Sequence, residues 1–161
     1  MNAARILLVL LAVAAIVQSL YYYPIIPETV ASHFDGSGQP NGWSSKQAFI
    51  TIYMIMVGMT LAIFLFLPPL LSRMPNRLIN LPHKDHWLAP TRRAQSLAYI
   101  QTQLNWFGVV NMMFIIYTVQ LVFQGNLAAS PRLSDSFVWA LAAYAIFVAI
   151  WLIRLFLRFK V

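Results

Sequence analysis

The sequence predicts an all-α integral membrane protein with four transmembrane helices and both termini in the cytoplasm. Three observations predict this. The 161 residues are 60% apolar and only 9% charged, and the mean hydropathy is +0.69, a composition unsuited to a water-soluble domain. Four stretches approach or exceed the roughly 20 apolar residues that a helix needs to cross hydrocarbon, where every backbone amide must be satisfied without water. Nine of the eleven basic residues fall on one side of the spans so defined.

The first span is expected at residues 6–23. It is interrupted only by Gln18 and Ser19 and closes on Tyr21, Tyr22 and Tyr23, side chains suited to a membrane interface. Arg5 before an apolar run also imitates a secretory signal, but the run continues into bulky tyrosines without a small-x-small cleavage site, so a retained helix is expected. The second span is placed at 48–71, with Pro68-Pro69 near its end. The third, 97–123, has no charge but is dotted with amides; the fourth, 137–157, meets its first charge at Arg154.

Orientation follows from the basic residues. Arg5, Arg73, Arg77, Lys84, Arg92, Arg93, Arg154, Arg158 and Lys160 share one side, leaving Lys46 and Arg132 on the other. By the positive-inside rule the nine are cytoplasmic. Loops 24–47 and 124–136 then face outward and loop 72–96 inward. The formal charge of +7 is thereby a topology signal, and no nucleic-acid partner is predicted. The absence of cysteine excludes disulfides, thiolate metal sites and thiol nucleophiles. No internal repeat supports an inverted-repeat transporter.

Loop 24–47 is the most distinctive stretch. Its glycines and prolines, with Asp35-Gly36 and Asn41-Gly42, specify tight turns and a compact, ordered loop. Trp43 is expected at the interface, and Ser44 or Ser45 as the cap of the second helix. The run from Ile26 to Lys46, with Pro27, His33-Phe34-Asp35, Gly36, Gly38, Pro40, Trp43 and Ser45-Lys46, resembles the signature of a bacterial membrane domain of unknown function. That domain is found at the N-terminus of immunity proteins against the sporulation-delaying toxin, and the resemblance covers about residues 5–70. It implies a multi-pass bacterial plasma-membrane protein, with immunity or toxin sensing known for one branch. In that branch a further membrane module follows, and residues 73–161 show no counterpart to it.

Read for its own chemistry, the loop places Glu28, His33 and Asp35 near one another in sequence. An imidazole and two carboxylates can hold a divalent cation, and His33 with Asp35 can serve as a base and its orienting partner. The plainer reading has Asp35 accepting from the following turn amides while His33 packs or pairs. No metal, cofactor or catalytic residue is predicted; His33 and Asp35 are the ligands a metal would use.

Loop 72–96 holds His83 and His86 three apart, which a helix would place on one face, but two ligands beside Lys84 are a poor cation site. Trp87 amid basic residues reads as an interfacial segment against anionic headgroups. Thr91 is the expected cap of the third long helix. Along that helix Gln101, Asn105, Gly108, Asn111 and Thr118 share a broad sector that should face the bundle interior, with close approach at Gly108. Thr51 and Gly58 in the second span, and Ala145 and Ala149 in the fourth, offer small faces to meet it. Arg154 and Arg158 are expected to snorkel.

The leading functional expectation is non-enzymatic recognition through loop 24–47, with Glu28, His33, Asp35, Gly36, Gly38, Trp43 and Lys46 as candidate contacts. The partners are the lipid bilayer and a peptide toxin or another membrane protein, with oligomerisation open. The alternatives are an accessory subunit packed through Gln101, Asn105 and Asn111, and a small membrane enzyme or transport component using His33 and Asp35.

Overall fold

The computed structural model describes residues 2–160. Its elements are α1 (Ala3–Tyr22), β1 (Thr29–Phe34), β2 (Pro40–Ser45), α2 (Lys46–Leu71), a 3-10 turn (Asn76–Leu78), the single-turn α3 (Lys84–Trp87), α4 (Arg93–Asn126) and α5 (Ser136–Arg158). The four long helices match the four expected spans, and each is long and apolar enough to cross a membrane. Caps explain two starts: Asn2 Oδ1 accepts from the Arg5 amide at 3.1 Å, and the Ser45 hydroxyl, as expected, accepts from the Ala48 amide at 3.2 Å. The expected cap at Thr91 is not used. Helix α4 opens after Arg92 with no side-chain cap, and Arg93 instead reaches back past the end of α2, donating to the carbonyls of Ser72 at 3.2 Å and Met74 at 2.7 Å.

The architecture is not purely α-helical, because loop 24–47 contains an antiparallel hairpin of β1 and β2. Thr29↔Ser45, Val30↔Ser44 and Ala31↔Trp43 are register partners, with irregularities around His33. The turn-forming Asp35-Gly36-Ser37-Gly38 sits between two runs short enough to pass for irregular loop.

Helices α1, α2 and α4 form the core. Helix α1 turns Ala4, Leu8, Ala12 and Ala15 inward, and these pack with Tyr53, Val57, Val109, Met112 and Phe123. Small residues along one face let helix backbones approach closely. Close approach at Gly108 occurs, but its partner is not a small residue: a Cβ there would lie 2.4 Å from Phe64 Cγ. Gly58 faces open space, so the small face expected on α2 is not the contact. Helix α5 has no buried residue. Its Tyr144 stacks on Phe114 at 4.3 Å, its Trp151 meets Phe107 at 4.7 Å, and Ala145 and Ala149 point outward instead of into the contact. Outward faces carry Leu20, Phe66, Trp139 and Leu157.

Pro68 and Pro69 lie within the last turns of α2. Pro69 lacks the amide hydrogen that would satisfy the Leu65 carbonyl four residues earlier, and the Arg5 guanidinium donates to that carbonyl instead. Arg5 therefore mends a helix break as well as contributing charge. Arg5→Leu is expected to cost about 1–3 kcal/mol, the range for an orphaned polar group, and to cost much less in a Pro69→Ala background, where the restored amide serves Leu65. Thermal unfolding in detergent of the four proteins checks this, and equal losses in both backgrounds would refute the linkage.

Candidate functional site

The hairpin end gathers most of the residues singled out by sequence, but distributes them among separate partners. Asp35 Oδ1 accepts from the Ser37 amide at 2.8 Å, the Ser37 hydroxyl at 2.7 Å and the Gln39 amide at 3.0 Å. The Ser37 hydroxyl and then these amides hold the Asp35 carboxyl below the ordinary carboxylate range. His33 Nδ1 pairs with Asn41 Oδ1. Glu28 forms an ion pair with Lys46 at 2.7 Å, and Lys46 Nζ sits 4.9 Å above the Tyr23 ring. Asp35 thus takes the turn-forming role, and neither the base-and-orienter pair nor a Glu28–His33–Asp35 cluster is assembled. Among the described residues no three His, Asp or Glu side chains come close enough to hold a metal ion.

The two glycines of the turn have different duties. Gly36 has open space around it. Gly38 adopts φ +78°, and a Cβ would lie 2.7 Å from the Leu133 carbonyl oxygen; its own carbonyl accepts from the Leu133 amide at 2.9 Å. Only glycine tolerates both the left-handed backbone and that approach. The hairpin tip is thereby docked on the segment between α4 and α5.

The residue that fixes the hairpin is one the sequence reading passed over. Asn126, in the last turn of α4, accepts from the Ala31 amide at 2.7 Å and donates to the Ala31 carbonyl at 3.0 Å and to Val122 O at 2.9 Å. Its side chain behaves as a strand residue laid along the outer edge of β1. Pairs in an antiparallel ladder alternate between bonded and non-bonded. Lys46 N donates to Glu28 O at 2.9 Å, so Glu28–Lys46 and Val30–Ser44 are bonded pairs and Ala31–Trp43 is not. The Trp43 amide and carbonyl consequently point away from β1, along the unpaired edge of β2. Trp43 as a residue is 51% exposed. Between the hairpin and α2 lies a cavity of about 270 Å³, lined by Ser32, Ser44, Phe49, Tyr53 and Met56 among others, and the Ser44 hydroxyl is buried without a partner.

A polar network supports the hairpin from within the helices. Tyr53 donates to Gln18 Oε1 at 2.6 Å, Gln18 Nε2 donates to Gln120 Oε1 at 2.9 Å, and Gln120 Nε2 donates to the Tyr22 hydroxyl. Tyr22 stacks on Phe123 at 4.4 Å. The signal for this network was an amide in each of two apolar runs, Gln18 and Gln120, which require partners if no water reaches them.

The expected polar face of α4 does not converge on one site. Gln101 donates to the Ser72 hydroxyl, Asn111 accepts from the Tyr144 hydroxyl at 2.7 Å, and Asn105 is buried with its Oδ1 unpartnered. Nor do His83 and His86 share a helix face: His83 precedes α3 with φ 50°, and the His86 ring meets the Arg92 guanidinium at 3.0 Å.

Fold and site together define a class: a four-helix protein with membrane-spanning dimensions, whose first two long helices present a hairpin clamped by the third. Residues 10–60 match the model of a family described as Domain of unknown function (DUF1648). The match runs from Leu10 of α1 through the whole hairpin to Thr60 of α2, so it contains every hairpin residue described above. No curated protein and no solved structure matches the chain.

Proposed function

We propose that this is a multi-pass plasma-membrane protein of a bacterium, with both termini cytoplasmic, that recognises a peptide or partner membrane protein through the hairpin of residues 29–45. Support for the orientation comes from nine cations at the end opposite the hairpin. Support for recognition rests on one observation: the edge of β2 is open, while that of β1 is closed by Asn126. An extended segment can add to such an edge through main-chain hydrogen bonds, with side-chain pockets giving selectivity. Trp43 and the neighbouring cavity supply an aromatic contact and an apolar recess. Toxin immunity, known for one branch of the family that the loop resembles, is a special case of this role.

Orientation is testable because the chain has no cysteine. Gly36→Cys, where a side chain fits freely, is expected to react with a membrane-impermeant maleimide on intact cells, and the exposed Asn80→Cys only after lysis. The reverse pattern overturns the reading. For recognition, a photo-crosslinking residue at Gly36 is expected to give a discrete adduct in cells that Trp43→Ala diminishes at unchanged protein level. A hairpin that yields no adduct, or one indifferent to Trp43, would count against it.

A further inference from the structure

The opposite end of the molecule carries a second constellation. Residues 72–92, between α2 and α4, fold over a small core of their own in which Ile79, Leu81 and Leu88 pack with Leu97 and Phe159. The segment is tied down by hydrogen bonds: Asn76 Nδ2 donates to Leu88 O at 3.1 Å, Arg93 Nε donates to Asn76 Oδ1 at 2.9 Å, and the Trp87 indole donates to Phe159 O at 3.0 Å. Set into this platform is an open cleft of about 450 Å³, with Arg77, Lys84 and Asp85 in its lining. Among the described residues the ion pairs are Glu28–Lys46 and Arg132–Asp135, so none of these three charges is paired with another described residue.

Two cations and one carboxylate around a single cleft are complementary to a headgroup carrying a phosphate and an ammonium. A guanidinium offers paired donors to phosphate oxygens, and an ammonium adds a second positive charge beside it. A carboxylate accepts hydrogen bonds from a primary ammonium, but finds no N–H donor on choline and no cation on glycerol. Leu88, Ala89 and Pro90 also line the cleft, which gives it an apolar margin for the acyl chains that follow a lipid headgroup. The cleft lies just beyond Leu71 of α2 and just before Arg93 of α4, where headgroups lie if these helices span a bilayer.

We propose that this cleft binds the headgroup of an aminophospholipid such as phosphatidylethanolamine, with Arg77 and Lys84 taking the phosphate and Asp85 the ammonium. The proposal rests on the reading that α2 and α4 cross a membrane, but not on its orientation or on any role of the hairpin.

The full-length protein is reconstituted in nanodiscs holding equal parts of phosphatidylethanolamine, phosphatidylglycerol and phosphatidylcholine. Lipids retained on gentle release are then identified by native mass spectrometry. Wild type is expected to retain phosphatidylethanolamine over each of the others by about two- to fivefold, the scale of one partly solvated charge pair. Asp85→Asn should abolish that preference while leaving phosphatidylglycerol retention intact. The pair Arg77→Ala with Lys84→Ala should lower retention of all three. Arg77→Lys with Lys84 intact, which keeps the charge but not the paired donors, should fall between wild type and that double variant. Equal retention of the three lipids by wild type, a preference for phosphatidylglycerol, or variants indistinguishable from wild type would each overturn the proposal. Impermeant labelling of Gly36→Cys and Asn80→Cys in parallel, where opposite accessibility in either sense shows that α2 crosses the membrane, keeps a failure here separate from a failure of that reading.

Discussion

Asn126→Leu is expected to release the hairpin from the bundle while leaving the long helices in place. Asn126 is 5% exposed and the Ala31 that it grips is fully buried, so neither end of the interaction can turn to water. Leucine keeps the branched outline of the amide, though it is bulkier, but removes one acceptor and two donors, and leaves the Ala31 amide and carbonyl unpaired. Each buried orphan costs about 1–3 kcal/mol. The hairpin has little with which to offset this, since an isolated two-stranded unit is marginal in itself. Amide exchange at Ala31 should therefore accelerate by roughly two to three orders of magnitude, at 1.4 kcal/mol per tenfold, with helical circular dichroism unchanged. Asn126→Asp should be at least as severe, because it keeps the acceptor, loses both donors and buries a charge. Unaltered protection at Ala31 in both variants would show that the clamp does not hold the hairpin.

The second large effect is expected at Gly108, and it should have the opposite sign from the same change at Gly58. A methyl at Gly108 meets Cβ and Cγ of Phe64 at 2.6 and 2.4 Å. These atoms are at the root of the ring, so no rotamer of Phe64 removes the clash and α2 and α4 must part. Overpacking of this kind costs about 1–3 kcal/mol, and more for a larger side chain. Gly58 has nothing within 4 Å, so Gly58→Ala should gain the intrinsic helical preference of alanine, up to about 1 kcal/mol. Thermal unfolding in one detergent reads both. In a Phe64→Gly background, which removes both atoms, the penalty at Gly108 should largely vanish, as expected for directly contacting residues, whereas Phe64→Ala keeps Cβ and should relieve only part of it. Equal responses of the two glycines would mean that the α2–α4 contact is placed wrongly.

The four long helices were legible because length and apolarity alone specify them, and their ends fell within a few residues of Ala3, Leu71, Asn126 and Arg158. The hairpin was not, because Gly, Pro, Asp and Asn between residues 35 and 42 announce turns without revealing that the flanking residues pair. Asn126 lay beyond the apolar window ending at Phe123, and a polar residue past the end of a window reads as loop; its role depends on meeting Ala31, 95 positions earlier. The partner of Gly108 was missed for a related reason. Pairing small residues with small residues is a sound expectation for close packing, yet a phenylalanine whose ring lies across the helix can occupy the space that a glycine leaves. Arg5 was legible as charge but not as a donor, since that role required knowing that the carbonyl orphaned by Pro69 would face α1.

Helix α4 is 34 residues long, about 51 Å at 1.5 Å per residue. Its last turn holds β1 through a single side chain, and its first is stapled to the basic platform by Arg93. Beside the covalent joins to α1 and α2 and the docking at Leu133, the grip on Ala31 is the route by which a tug on the hairpin is passed lengthwise down this rod. The amide at position 126 is in that sense a coupling pin, and its strength sets the load that the hairpin can deliver to α4 through β1.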